Sequence, residues 1–260
     1  MSDPQLDLFA GSWAYETRPA ARPPPVVPGE LDDATLLAAI PTAGLPDGPA
    51  LAREAGRRRL HAAVPVLEAY CRRFTGFGTQ RAVAEQLAAL EALHAIAGKE
   101  AADSVARIIS RGWVQGPTLT TAVAVAAQLD CVLPGDVVAG LLRHADPATR
   151  ADACRLVRTP GVVDALIDLL DDLHREVAIE AACALARQGR GEGRPLLLLA
   201  LKQAPSVPLI NAVALIADRD CIVELGRIGA GKTPLARAAR DALETIEHEL
   251  AARILQRLSV

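Results

Sequence analysis

The sequence predicts an all-α protein in which short helix–turn–helix units stack into one solenoid, preceded by a flexible N-terminal tail. Three observations carry this. Hydrophobic residues make up 51% of the 260 positions while aromatics reach only 3%, so alanine and leucine dominate, as in closely packed helices. Few β-branched stretches alternate with period two, which leaves no pattern for a sheet. Alanine-rich segments of one type recur along the second half of the chain at intervals of roughly 26–33 residues, which marks a repeat architecture.

Residues 1–29 read as the tail. Arg22-Pro23-Pro24-Pro25-Val26-Val27-Pro28-Gly29 cannot be helical, because proline lacks the amide donor and restricts the residue before it. Residues 30–78 read as an irregular helical cap and 79–260 as the solenoid. Within the solenoid, Thr79–Ala97 and Glu100–Arg111 form a helix pair around Gly98, and Thr118–Leu129 continues the stack. Val162–Leu170 is an amphipathic helix with acidic residues on one side. The turn Asp171-Asp172-Leu173-His174 follows, and Glu176–Ala186 is a second helix that stops near Gly189. Related second helices start at Asp146-Pro147 and at Pro234, and a weaker one runs from Val207 to Ala217. Pro147, Pro208 and Pro234 suit the first turn of a helix, where the amide is unpaired anyway.

The leucine-striped first helix and alanine-rich second helix of residues 162–186 resemble a HEAT repeat, and the resemblance extends over residues 136–250. It implies a solenoid whose stacked units build one continuous core and whose second helices line a concave surface. Proteins of that build serve binding more often than chemistry.

Within the tail, Gln5-Leu6-Asp7-Leu8-Phe9 places an apolar trio where no core is predicted to receive it. Such a stretch suits a partner's groove. The pentapeptide resembles, letter for letter, the motif by which bacterial replication and repair proteins bind the DNA polymerase sliding clamp. By that resemblance Gln5 is the polar anchor, Leu8 and Phe9 are the apolar anchors, Leu6 lines the groove and Asp7 faces solvent. Burial of Leu8 and Phe9 contributes about 1.5–3 kcal/mol each. Ordering the segment offsets part of this, so affinity near micromolar is expected. The same stretch packing back onto the chain's own helices is the alternative.

Other signals are weaker. The net charge of −3 gives no global attraction to nucleic acid. Arg57, Arg58, Arg59, Arg72 and Arg73, with Arg53 nearby, form the densest basic cluster. It is a candidate phosphate or acidic-partner contact, diluted by Glu54 and Glu68. Arg150, Arg155, Arg158 and Arg187 would extend it if they share one face. A HEAT-type DNA-repair glycosylase would need such a strip together with groove aromatics and a catalytic carboxylate; Tyr70, Phe74, Phe77 and Trp113 are the available aromatics, and no aspartate stands out. Phe74–Gly78 and Arg111–Pro117 are glycine-containing aromatic loops where helices turn; such loops more often seal a solenoid's end or ridge than contact a ligand, and they are the alternative place for a partner surface.

Gly226–Thr233 fits G-x-x-x-x-G-K-[ST], the phosphate-binding loop pattern. No strand–helix–strand pattern precedes it, too little chain follows it, and Pro234 removes an amide that a phosphate would use. The repeat reading makes Asp220–Leu225 a first helix, 226–233 a turn and Pro234–Leu258 a second helix. Five cysteines at 71, 131, 154, 183 and 221 form no CxxC pair and read as buried free thiols in a reducing compartment. His61, His94, His144, His174 and His248 show no zinc-site spacing. His94 is expected at the core edge, and His144 and His174 in capping turns. No cofactor or metal is expected. Acidic Asp3 and Asp7 argue against a secretory signal, and apolar runs such as 122–127 and 195–201 are too short to span a bilayer. A cytoplasmic, non-catalytic scaffold is expected, with the sliding clamp as one partner and a second protein or DNA on the solenoid. A general interaction scaffold with an accidental tail motif is the alternative.

Overall fold

The computed structural model describes residues 27–258, whose regular elements are all helices, with no strand among them. The α-helices are α1 (Asp33–Ala39), α2 (Gly48–Arg57), α3 (Val64–Arg73), α4 (Ala84–Ile96), α5 (Gly98–Ser110), α6 (Gly116–Gln128), α7 (Gly135–Leu141) and α8 (Pro147–Leu156). They continue with α9 (Val163–Asp168), α10 (Arg175–Arg187), α11 (Arg194–Gln203), α12 (Val207–Leu215), α13 (Arg219–Gly229), α14 (Pro234–Glu244) and α15 (Glu249–Leu258).

Two layers organise them. Each even-numbered helix from α2 to α14 packs on the next even one, while α3 packs on α5 and α11 on α13 and then α15 in the other layer. Hairpin partners such as α9 and α10, or α13 and α14, join the layers. The chain is thus an all-α, HEAT-like helical solenoid.

Small residues set the spacing of the even layer. In α10, Ala178, Ala181, Ala182, Ala184 and Ala186 are all buried. At Gly56 of α2 a side-chain carbon would lie 2.6 Å from the Cα of Ala92 in α4, so only glycine permits that crossing. Leucines and isoleucines such as Leu67, Leu90, Ile108, Leu142 and Leu166 fill the space between layers. One buried apolar cluster runs from Leu36 to Leu185, a second from Ala182 to Ala251, and α10 contributes to both.

Capping side chains and first-turn prolines set the helix starts. Asp146, Asp218 and Thr233 accept hydrogen bonds from the amides of Thr149, Cys221 and Ala236, satisfying donors that lack an intrahelical partner. Proline occupies the first turn of α8, α12 and α14. Gly189 closes α10 with φ +72°, its amide bonding Ala186 O while that of Arg190 bonds Leu185 O.

Two expectations need correction at the C-terminal end. Helix α13 does not stop at Leu225 but continues through Gly229, and the predicted second helix breaks at Thr245 into α14 and α15. The break lets α15 fold back on α13. At Gly226 an added carbon would meet Ile254 Cγ2 at 2.9 Å, and at Gly229 it would meet Leu258 Cδ1 at 3.2 Å. These glycines make a groove for the last helix.

Candidate functional site

Gln5, Leu6, Leu8 and Phe9 lie outside the described residues. The described chain begins where Arg58, at the end of α2, grips the incoming segment. Its guanidinium donates to the carbonyls of Pro28 (3.1 Å), Gly29 (3.3 Å) and Leu31 (2.8 Å) and pairs with Asp33 and Glu54.

The other arginines of the basic cluster are also largely engaged. Arg57 pairs with Glu54 at 2.7 Å, and Arg53 with Glu91 at 2.6 Å. The hydrogen bonds from Arg57, then Arg58, hold the Glu54 carboxyl down to about 2. Arg59 is exposed and closes α2 with φ +53°. Arg72 and Arg73 lie on α3 and belong to a different neighbourhood from Arg57–Arg59. Arg73 donates to Pro41 O and Ala43 O and covers the Phe74 ring, while Arg72 lies 5.8 Å from the centre of the Trp113 ring.

That second neighbourhood brings the two aromatic loops together. Gln86, fully buried in α4, donates to the carbonyls of Cys71 (3.1 Å), Phe74 (3.3 Å) and Trp113 (2.8 Å). Gln115 donates to Phe77 O at 3.2 Å, and the Val83 amide to Thr118 Oγ1 at 3.0 Å. Gly116, with φ +54°, sits so close beneath the other loop that a side-chain carbon would lie 2.4 Å from Gly78 O. Beside the Phe74–Gly78 loop lies a pocket of about 530 Å³ lined by Leu45, Phe74, Phe77 and Val83, with Arg73, Arg81 and Glu85 also in its wall. Phe77 and Leu45 remain 63% and 67% exposed. Sequence reasoning singled out both loops but could not find the pocket. Leu45 and Arg81 gave no signal, and Gln86 is one polar letter in a helix.

Two further depressions are lined by helices of the even layer. One of about 430 Å³ between α12 and α14 is lined by Val207, Leu215, Ala238, Asp241 and Thr245. Another of about 300 Å³, among α10, α11 and the start of α12, has Glu176, Ile179, Glu180, Ala200 and Leu209 in its walls. The predicted arginine strip does not leave free cations beside them. Arg155 pairs with Asp152 and Glu180, and Arg158 pairs with Asp130. Arg187 donates to Cys154 O. Arg150 forms a two-pronged pair with Asp172 at 2.8 and 3.0 Å, and this well-covered pair ties α8 to the turn before α10. The Arg150 guanidinium holds the Asp172 carboxyl below the usual carboxylate range.

The phosphate-loop letters have another explanation. Gly226 to Gly229 are helical, so their amides are spent within α13. Thr233 caps α14, and Lys232 is exposed. This is not the cradle of free amides that phosphate needs. All five cysteines are free and buried, and burial pushes the thiols up, to about 12 for Cys71 and Cys154. Among the described residues no cluster of histidine, cysteine or carboxylate fits a metal. His94 is exposed on α4 rather than at the core edge. His144 accepts from the Asp146 amide, as expected of a capping turn. No described helix is long and apolar enough to cross a membrane.

No protein-family model matches the chain, and no curated protein matches it. Among solved structures, human deoxyhypusine hydroxylase in complex with glycerol is similar at 16% identity, over 86% of this chain and 84% of that one, with a TM-score of 0.34. A likeness at that level carries no argument about activity.

Proposed function

We propose that this protein is a non-catalytic adaptor. Gln5, Leu6, Leu8 and Phe9 bind a bacterial sliding clamp, and the solenoid holds a second protein partner. The observation that carries the reading is the spacing of Gln5-Leu6-Asp7-Leu8-Phe9, a polar anchor and three apolar positions around a solvent-facing Asp7, in the order the clamp groove accepts. Tethering through a weak peptide raises the local concentration of whatever the solenoid holds, without new affinity at the second site.

A protein is favoured over DNA as the second partner because three of the four arginines of the predicted strip are neutralised by carboxylates. Arg150, Arg155 and Arg158 each have one. Phosphate binding draws on unpaired cations. The two depressions lined by α10, α12 and α14 have mostly apolar walls, which suit side chains instead.

The test is surface plasmon resonance of the full chain on an immobilised bacterial sliding clamp, beside the Leu8→Ala/Phe9→Ala double variant. Affinity near micromolar that weakens at least about tenfold in the variant supports the reading. Absence of binding by the intact chain refutes it and leaves an interaction scaffold with an accidental motif.

A further inference from the structure

The pocket beside the Phe74–Gly78 loop has apolar walls, two arginines against one carboxylate, and no occupant from the described chain. We propose that it receives the chain's own Asp3–Phe9 stretch, so that the apolar residues offered to the clamp are sheltered when no clamp is present. The docking stands on the pocket and the sequence. Its regulatory meaning rests on the clamp reading.

Chemistry, charge and reach support this occupant. Leu6, Leu8 and Phe9 supply bulky apolar side chains for walls made by Leu45, Phe74, Phe77 and Val83. Asp3 and Asp7 bring negative charge. The pocket answers with Arg81, exposed and without an ion pair among the described residues, and with Arg73, against the single carboxylate of Glu85. Residues 1–16 carry Asp3, Asp7 and Glu16 and neither lysine nor arginine, so the match in sign is not diluted.

Arg58 fixes where the chain enters. It holds Pro28 and Gly29 at the C-terminal end of α2. Leu45 lies three residues before the start of the same helix. Ten helical residues span about 15 Å. The 17 residues between Phe9 and Val27 can extend to about 60 Å, so the pocket is within reach several times over. Leu8 and Phe9 cannot fill this pocket and a clamp groove at once, so docking and clamp binding exclude each other.

The experiment compares the full chain with Phe77→Asp, and separately with Arg81→Glu. Both residues are exposed, and circular dichroism melting verifies that each variant folds. Chymotrypsin cleavage after Phe9 and Trp13 is timed by mass spectrometry, and clamp affinity is measured on the same samples. In the wild type, cleavage is expected to be about fivefold slower than in either variant, and clamp binding weaker by a similar factor. Equal cleavage rates in all three proteins overturn the proposal. So does protection that disappears on dilution, which marks exchange between two copies. Faster cleavage in the variants with no clamp binding by any of them supports the docking and overturns the clamp reading alone.

Discussion

Replacing Gln86 by methionine tests whether one buried side chain organises the loop pocket. Methionine keeps the volume but donates nothing. The Cys71 and Phe74 carbonyls would retain backbone partners, the amides of Phe74 and Phe77, each at 3.3 Å. Trp113 O, at 2.8 Å from Gln86 Nε2, accepts from no other described residue and would be orphaned. An unsatisfied buried acceptor costs about 1–3 kcal/mol, and each weakened bond about 1 kcal/mol. Gln86 Oε1 itself lacks a partner, so methionine relieves one unfavourable group in return. The balance is a loss of about 2 kcal/mol, read by urea denaturation. Hydrogen exchange adds the location: amides of residues 74–83 and 111–117 should exchange faster, while those of α12–α14 are unchanged. A stability loss under about 0.5 kcal/mol with unaltered exchange in both loops would refute the assignment of Gln86 as their brace.

Three further outcomes are expected. Arg150→Ala leaves the covered Asp172 with only His174 as partner and frees the carbonyls of His144 and Ala145, so it should cost about 3 kcal/mol in urea denaturation, whereas Lys232→Ala should stay within about 0.5 kcal/mol. ATP with magnesium should leave the melting temperature of the wild type unmoved, because the residues matching a phosphate loop are helical at Gly226–Gly229; an ATP-dependent rise lost in Lys232→Ala would contradict this. Glu54 is held down to about 2 in the folded chain against an ordinary value of 4.5. Its folded value is the lower one, so the stability it confers is complete above about pH 4.5 and lost as pH falls toward 2. The urea midpoint should therefore drop over that window, and Glu54→Gln should flatten the drop.

Much of the fold was legible because alanine-rich second helices bury small residues at helical spacing and begin at proline or a capping side chain. Asp146-Pro147, Val207-Pro208 and Thr233-Pro234 all open even-layer helices. What the letters hid is what depends on distant neighbours. Gly226 and Gly229 looked like turn residues because glycine disfavours helix; packing of Ile254 and Leu258 overrides that preference. The basic run Arg57-Arg58-Arg59 looked like one surface, yet Arg58 turns inward to Pro28, Gly29 and Leu31. Its partners lie 27–30 residues away, beyond any local pattern.

The placement of the arginines bears on how an adaptor of this design would work. A surface meant to hold DNA keeps its cations free, since release of counterions from phosphate drives that association. Here the even layer commits Arg150, Arg155 and Arg158 to carboxylates of neighbouring units. In a solenoid whose units touch only their neighbours, such pairs latch one unit to the next. Stiffness of that kind matters for a tethered scaffold. A peptide of about micromolar affinity gains little unless the second site is held in a fixed geometry where its partner can be met. On the proposed reading, the clamp motif supplies the address and the latched even layer supplies the fixed surface. The apolar depressions on α10, α12 and α14, rather than the arginines, are then where substitutions should separate second-partner binding from clamp binding.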